Sequence, residues 1–147
     1  MSADVFLNAE GAEDSQNSQK NSPLENDFSR EIIGAAVEVQ RVLGTGLLES
    51  AYTAALAIEL AEREIGFALE VPIVGRYKGK VLGVAYRADF IVEQSVIVEV
   101  KAVDAITELH RAQLLSSLRV AGLKLGLLIN FHAFPVVKGV HRMVNKL

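Results

Sequence analysis

The stretch 88–101, Ala88-Asp89-Phe90-Ile91-Val92-Glu93-Gln94-Ser95-Val96-Ile97-Val98-Glu99-Val100-Lys101, constrains the fold more than any other. Two runs rich in β-branched and aromatic residues flank a polar triplet, which is the pattern of an antiparallel hairpin. With Glu93-Gln94-Ser95 as the turn, Val92 pairs with Val96, and that register sets Asp89 opposite Glu99. Period-two alternation adds Arg87 and Ile91 to the face of Asp89, and Ile97 and Lys101 to the face of Glu99. Directly opposed side chains lie about 4.5–5.5 Å apart. Two carboxylates that close repel each other, and a lysine stands two residues on. A divalent-cation site explains the arrangement. A plain cross-strand ion pair from Lys101 to Glu99 or Asp89 explains it equally well on spacing alone.

The rest of the chain supplies a frame for that hairpin. A helix is expected from Asp27 or Ser29, either of which can cap it, with Glu31 in its first turn. Its apolar face is Ile32, Ile33, Ala36, Val39 and Leu43, and Gly44-Thr45-Gly46 ends it. A second, Ala- and Leu-rich helix is expected from Leu48 to Glu64, with Ala51, Ala55, Ile58 and Leu60 or Ala61 facing inward and Gly66 closing it. Leu69 to Tyr77 and Val81 to Val84 read as strands around a Lys78-Gly79-Lys80 turn, with Pro72 marking an edge or a bulge. Tyr86 to Val92 and Val96 to Ala102 form the hairpin. A third helix, Thr107 to Ala121, directs Leu109, Ala112, Leu115 and Leu118 or Ala121 to the core. Its polar face carries His110, Gln113 and Ser117, and Gly122 caps it. The apolar run Leu125-Gly126-Leu127-Leu128-Ile129 reads as a buried central strand, reached from Val96–Ala102 by a parallel crossover. Val140 to Leu147 is a last short strand.

The chain has 147 residues, half of them hydrophobic, enough for one domain with a real core at 27–147. Residues 1–26 are expected to be a disordered or loosely attached acidic tail, or an arm for a partner. They hold five acids (Asp4, Glu10, Glu13, Asp14, Glu25) and one base, Lys20. The remainder holds fourteen bases and thirteen acids, so the acidity belongs to the tail. There is no cysteine, which excludes disulfides and thiolate metal sites and fits a reducing compartment. No signal peptide and no membrane span is read, so the expected location is the cytoplasm. Arg76, Lys78 and Lys80 form a small basic patch, either a solvated turn or a phosphate contact. No Gly-rich phosphate loop and no Ser-His-Asp arrangement is signalled. His132 and His141 lack partners at zinc-ligand spacing.

Read bottom-up, Asp89 and Glu99 would hold a hard cation, and Lys101 would orient a water and offset transition-state charge. Glu49, in the first turn of the second helix, could approach the same point; its bland role is to favour the helix dipole. Tyr52 shares the face of Glu49 and either bonds a site carboxylate or serves as a core aromatic. His110 is either a surface residue or an outer contact to phosphate.

The order Asp89, then Glu99-Val100-Lys101, then a helix with Gln113 resembles the PD-(D/E)XK nuclease superfamily. The closer resemblance is to its GxxExxY family, through Gly46-Leu47-Leu48-Glu49-Ser50-Ala51-Tyr52. Ala88-Asp89-Phe90-Ile91-Val92, Val98-Glu99-Val100-Lys101-Ala102-Val103 and Leu125-Gly126-Leu127-Leu128-Ile129-Asn130-Phe131 also resemble it, and together these cover nearly all of 27–147. The resemblance implies an α/β, restriction-endonuclease-like mixed sheet flanked by helices. It implies Mg²⁺ or Mn²⁺ bound by Asp89, Glu99 and the carbonyl of Val100, with Lys101, Glu49 and Gln113 as catalytic-side residues. The implied partner is nucleic acid, DNA ahead of RNA, with no membrane and a homodimer as an option. A binding module that keeps the fold without catalysis is the alternative. Ala88 stands where the superfamily name has Pro, and Ser116-Ser117 stand where the family more often has Asn-Tyr.

Overall fold

The computed structural model describes residues 27–146. The expected tail at 1–26 lies outside them. The elements are α1 (Ser29–Leu43), α2 (Glu49–Glu62), β1 (Phe67–Tyr77), β2 (Lys80–Val92), β3 (Val96–Lys101), α3 (Glu108–Ala121), β4 (Leu125–Asn130), a 3-10 turn (Val136–Gly139) and β5 (Val140–Val144). The five strands form one sheet in the order β1-β2-β3-β4-β5. Only β3 and β4 are parallel; the other neighbours run antiparallel. The sheet is therefore mixed, and the crossover through α3 joins its parallel pair. No helix among the described residues is long and apolar enough to cross a membrane.

Strand alternation distributes the core to two faces. Val96, Val98 and Val100 of β3 and Leu125, Leu127 and Ile129 of β4 pack with Ile32, Ala36, Val39, Tyr52, Leu56 and Leu60 of α1 and α2. Ile97 and Leu128 point the other way and pack with Leu114, Leu118 and Ala121 of α3. All six residues of β4 are buried, as a central strand covered on both faces must be. Glu99 and Lys101 fall by the same alternation on the α3 face, the only charged positions in the buried middle strand.

Several expected faces are corrected. α1 is capped by Phe28 in a left-handed conformation, not by a side chain. Ser29 is already helical; Asp27 accepts its N–H at 2.9 Å and also pairs with Arg142. Ala35 joins the buried stripe of α1, while Leu43 ends exposed. α2 buries Tyr52, Leu56 and Leu60, and Ile58 is 61% exposed. Its sequence is apolar almost all round, so the largest side chains decide which face turns inward, not the alanines. α2 also stops earlier than expected, and Glu64, not Gly66, takes the left-handed position after it.

α3 is rotated from its expected face. Leu114, Ser117, Leu118 and Ala121 are buried, while Leu109 is 65% exposed. Ser117 can be buried because its hydroxyl donates to the Gln113 carbonyl at 2.7 Å. Gly126 explains the rest: a Cβ there would lie 2.9 Å from Leu114, so only glycine lets the helix settle this close to β4. The strands expected at 81–84 and 86–92 are one, because register shifts between Ile73/Val74 and Gly75/Arg76 absorb extra β2 residues as bulges.

Candidate metal centre

The expected register is present: Val92 pairs with Val96, Ile91 with Ile97 and Phe90 with Val98. The ladder stops there, one step before Asp89 and Glu99. Glu70, at φ 50, interrupts the adjoining β1 at this level. Phe90 packs with the α1–α2 cluster, yet Ala88, two residues away, joins the α3 cluster. The alternation expected to carry Arg87 onto the face of Asp89 is thus broken between them. β2 parts from β3 at Asp89 and continues with β1 alone.

Asp89 fills the gap with its side chain. Its carboxylate accepts the Val100 N–H at 2.8 Å, and the Glu99 carboxylate accepts the Asp89 N–H at 3.2 Å. Each acid is thereby held by the other's strand. The N–H and C=O of one strand residue point to the same edge. The Val100 carbonyl therefore opens on the same gap as the N–H that Asp89 holds.

Glu99 is only 4% exposed. Burial, then the neighbouring Asp89 charge, push its carboxyl up to about 8. A hydrogen bond from the Tyr86 hydroxyl works the other way, favouring the ionised form. The ion pairs Arg41–Glu38, Arg63–Glu59, Arg111–Glu108 and Arg142–Asp27 lie elsewhere. Among the described residues no ion pair joins Lys101 to Asp89 or Glu99. The plain salt-bridge explanation of the cluster is therefore not what the structure contains. Two carboxyl groups are pressed together, one of them buried, and among the described residues neither has an ion-pair partner in this cluster.

Glu49 begins α2, exposed to solvent. Burial by the surrounding chain raises its carboxyl, Lys101 lowers it and Asp89 raises it again, so it shares the electrostatic neighbourhood of both. Tyr52 does not touch the carboxylates. Its hydroxyl donates to the Gly44 carbonyl at 2.7 Å and accepts the Leu47 N–H at 3.2 Å, while its ring stacks on Phe131 at 4.7 Å. It is a clamp on the turn that delivers Glu49. His110 caps α3: Thr107 donates its N–H to the ring nitrogen at 3.0 Å and accepts the His110 N–H at 3.2 Å. Gln113 is exposed on α3 and lines a cleft of about 360 Å³ with Ala85, Tyr86 and Ser117. It shares that cleft with Tyr86, whose hydroxyl hydrogen-bonds Glu99.

Tyr86 and Asn130 were not singled out from the sequence. Strict alternation from Asp89 puts Tyr86 on the wrong face, and only the break at Asp89 brings it round to Glu99. Burial and the Glu99 charge hold its hydroxyl well above its ordinary ionisation range. Asn130 is buried and binds both polar groups of the Val103 backbone, at 3.1 and 2.9 Å, fixing the loop that leaves Lys101. A polar residue ending an apolar strand was the available signal.

No set of three His, Cys, Asp or Glu side chains converges to hold a metal among the described residues. The donors present are two carboxylates and one backbone carbonyl. That set suits a hard cation of the kind that takes one or two carboxylates and completes its shell with water and phosphate. It also explains why Glu99 is buried beside a like charge: a dication there would relieve both the repulsion and the desolvation.

A family model described as the PD-(D/E)XK nuclease superfamily matches residues 26–143. No curated protein and no solved structure matches the chain. The match runs from before α1 into β5 and takes in the whole Asp89–Glu99–Lys101 cluster, and the chain belongs to the PD-(D/E)XK nuclease superfamily.

Proposed function

We propose that the protein is a cytoplasmic, metal-dependent nuclease of the GxxExxY type that hydrolyses phosphodiester bonds in nucleic acid, with Mg²⁺ or Mn²⁺ as its ion. The observation that carries the reading is the buried Glu99 carboxyl held against Asp89, with no ion pair to either acid among the described residues. The GxxExxY assignment is supported by what its residues do here. Gly46 takes φ 97, and Tyr52 ties Gly44 and Leu47 so that α2 starts at Glu49.

A bound divalent ion supplies Lewis acidity at the phosphoryl oxygens and an acidified water. Asp89, Glu99 and the Val100 carbonyl would hold it at the end of β3. Lys101, two residues past Glu99 on the same face, forms no ion pair among the described residues. It can hydrogen-bond the attacking water and offset charge that grows on the phosphate. Glu49, its carboxyl raised by burial, can take a proton or fix the water from the helix side.

Cleavage of DNA and RNA substrates with Mg²⁺ or Mn²⁺ is the test, run beside Glu99→Ala and Lys101→Ala. Loss of cleavage by on the order of 10²-fold or more in both variants is expected, the scale of removing one transition-state contact. Equal cleavage by all three proteins would sink the proposal. The placement of Gln113, one cleft away from the carboxylates, favours a second reading: a binding module that keeps the metal site without turnover. It predicts metal binding and nucleic-acid binding with no cleavage by wild type.

A further inference from the structure

We propose that the outer part of the β1–β2 hairpin is a ribbon that grips a DNA duplex in its major groove and leads it to Asp89. The proposal rests on the nuclease reading above and deepens it by naming a substrate class and the surface that holds it. From Val71 to Ala88 the chain carries four bases, Arg76, Lys78, Lys80 and Arg87, and no acid, in a protein whose net charge is -3. All four are exposed, and none belongs to the ion pairs formed among the described residues. Elsewhere Arg41, Arg63, Arg111 and Arg142 are each paired with an acid, and Arg30, Lys101, Arg119, Lys138 and Lys146 are spread over the rest of the chain, whereas the arm gathers its four bases within residues 76–87.

The shape matches the charge. Past Phe90, β2 pairs with β1 alone among the described residues; the base of the arm packs on α3 through Val71, Ile73, Tyr86 and Ala88, and its outer part, Val74 to Val84, is a two-stranded ribbon. Its register shifts twist it. A ribbon of that width enters the major groove of B-form DNA, which is about 12 Å wide, whereas A-form RNA presents a deep, narrow one. Lys78 and Gly79 turn the chain with positive φ, and the Lys78 ammonium lies 5.3 Å over the Tyr77 ring at the tip. Val81, Leu82 and Val84 stand exposed beside the bases, where thymine methyl groups offer apolar contacts. Lys80 stands nine positions before Asp89, but two of them are bulge residues, so the tip lies about 23 Å along the ribbon from Asp89, roughly two-thirds of a turn of duplex. A scissile phosphate at Asp89 thus leaves other phosphates of the same duplex against the tip. A second copy of the chain fits this surface poorly, since two such arms repel.

The experiment is fluorescence anisotropy with a labelled duplex of about two turns, its separate strands and an RNA duplex, in Ca²⁺, across about 50 to 200 mM salt. Wild type is compared with Arg76→Gln/Lys78→Asn/Lys80→Gln, where Asn keeps the left-handed turn position. A control, Arg30→Gln/Lys138→Gln/Lys146→Gln, removes three exposed bases elsewhere. The arm variant should bind the DNA duplex with a salt slope shallower by about 2.7, so that wild type loses about 40-fold more affinity over that range. The control should keep the wild-type slope, and circular dichroism melts should show all three proteins folded. Equal slopes for wild type and arm variant, equal losses in the control, tighter binding of single strands or RNA, or an arm variant that loses only self-association by light scattering would each overturn the proposal. Metal titration and cleavage on the same samples separate the two readings. Retained metal binding and cleavage with unchanged slopes ends the arm proposal alone, while no metal binding by wild type ends the nuclease reading.

Discussion

Glu99 combines the two conditions that most strongly disfavour a carboxylate's charge, burial and a like charge across the strand. Its raised value has a consequence for stability with a definite sign. The folded protein holds a proton that the unfolded chain, with an ordinary carboxyl near 4.5, gives up. This contribution is therefore fully present below about 4.5 and is lost as pH rises to about 8. Glu99→Gln removes the charge but keeps the shape. It should stabilise the metal-free protein at pH 9 by on the order of 1–3 kcal/mol and change little at pH 5, measured by urea unfolding. A stability loss at pH 9 would show that Glu99 is already neutralised inside the metal-free fold. Tyr52 gives a second residue-scale expectation. Tyr52→Phe keeps the stack on Phe131 but frees the Gly44 carbonyl and the Leu47 N–H, and should cost about 1–2 kcal/mol. If the Glu49 turn depends on that clamp, kcat falls further than stability alone explains; unchanged kcat with lowered stability would make Tyr52 purely structural.

At the scale of elements, the strands were legible and the helix faces less so. β3 and β4 advertise themselves by apolar runs, broken in β3 by Glu99 and Lys101, and the turn triplet set the register, which the ladder keeps as far as Phe90 and Val98. The helices hid their faces for physical reasons. α2 has apolar residues on every side, so periodicity cannot choose between Ile58 and Leu56, and side-chain volume does. α3 buries Ser117, which reads as polar until its bond to the Gln113 carbonyl is seen. Tyr86 was invisible because the alternation breaks at Asp89, the position where β2 leaves β3. These faces can be checked by stability. Leu56→Ala should cost about 2–5 kcal/mol and Ile58→Ala under about 1 kcal/mol, and the reverse order would return the core to the expected face. Gly126→Ala forces a methyl against the fully buried Leu114 and should cost about 1–3 kcal/mol in denaturant unfolding. Pairing it with Leu114→Ala should recover part of that loss; strict additivity would mean the two do not compete for one space.

At the scale of the whole molecule, the fold brings together three distant parts of the chain at the end of β3. The middle strands supply Asp89, Glu99 and Lys101, the start of α2 supplies Glu49, and α3 covers the face on which the acids stand. The proposed metal site rests on that convergence more than on any single motif. The central claim is that Asp89 and Glu99 hold a divalent cation, and metal binding there must displace the proton on Glu99. Calorimetric titration of Mn²⁺ into the protein, repeated in buffers of different ionisation enthalpy, measures the metal and the proton together. Binding should release about one proton per ion at pH 7 and close to none at pH 9, and Asp89→Asn should weaken it by on the order of 10-fold or more. Absence of binding by wild type, or binding that Asp89→Asn leaves unchanged, would contradict the claim.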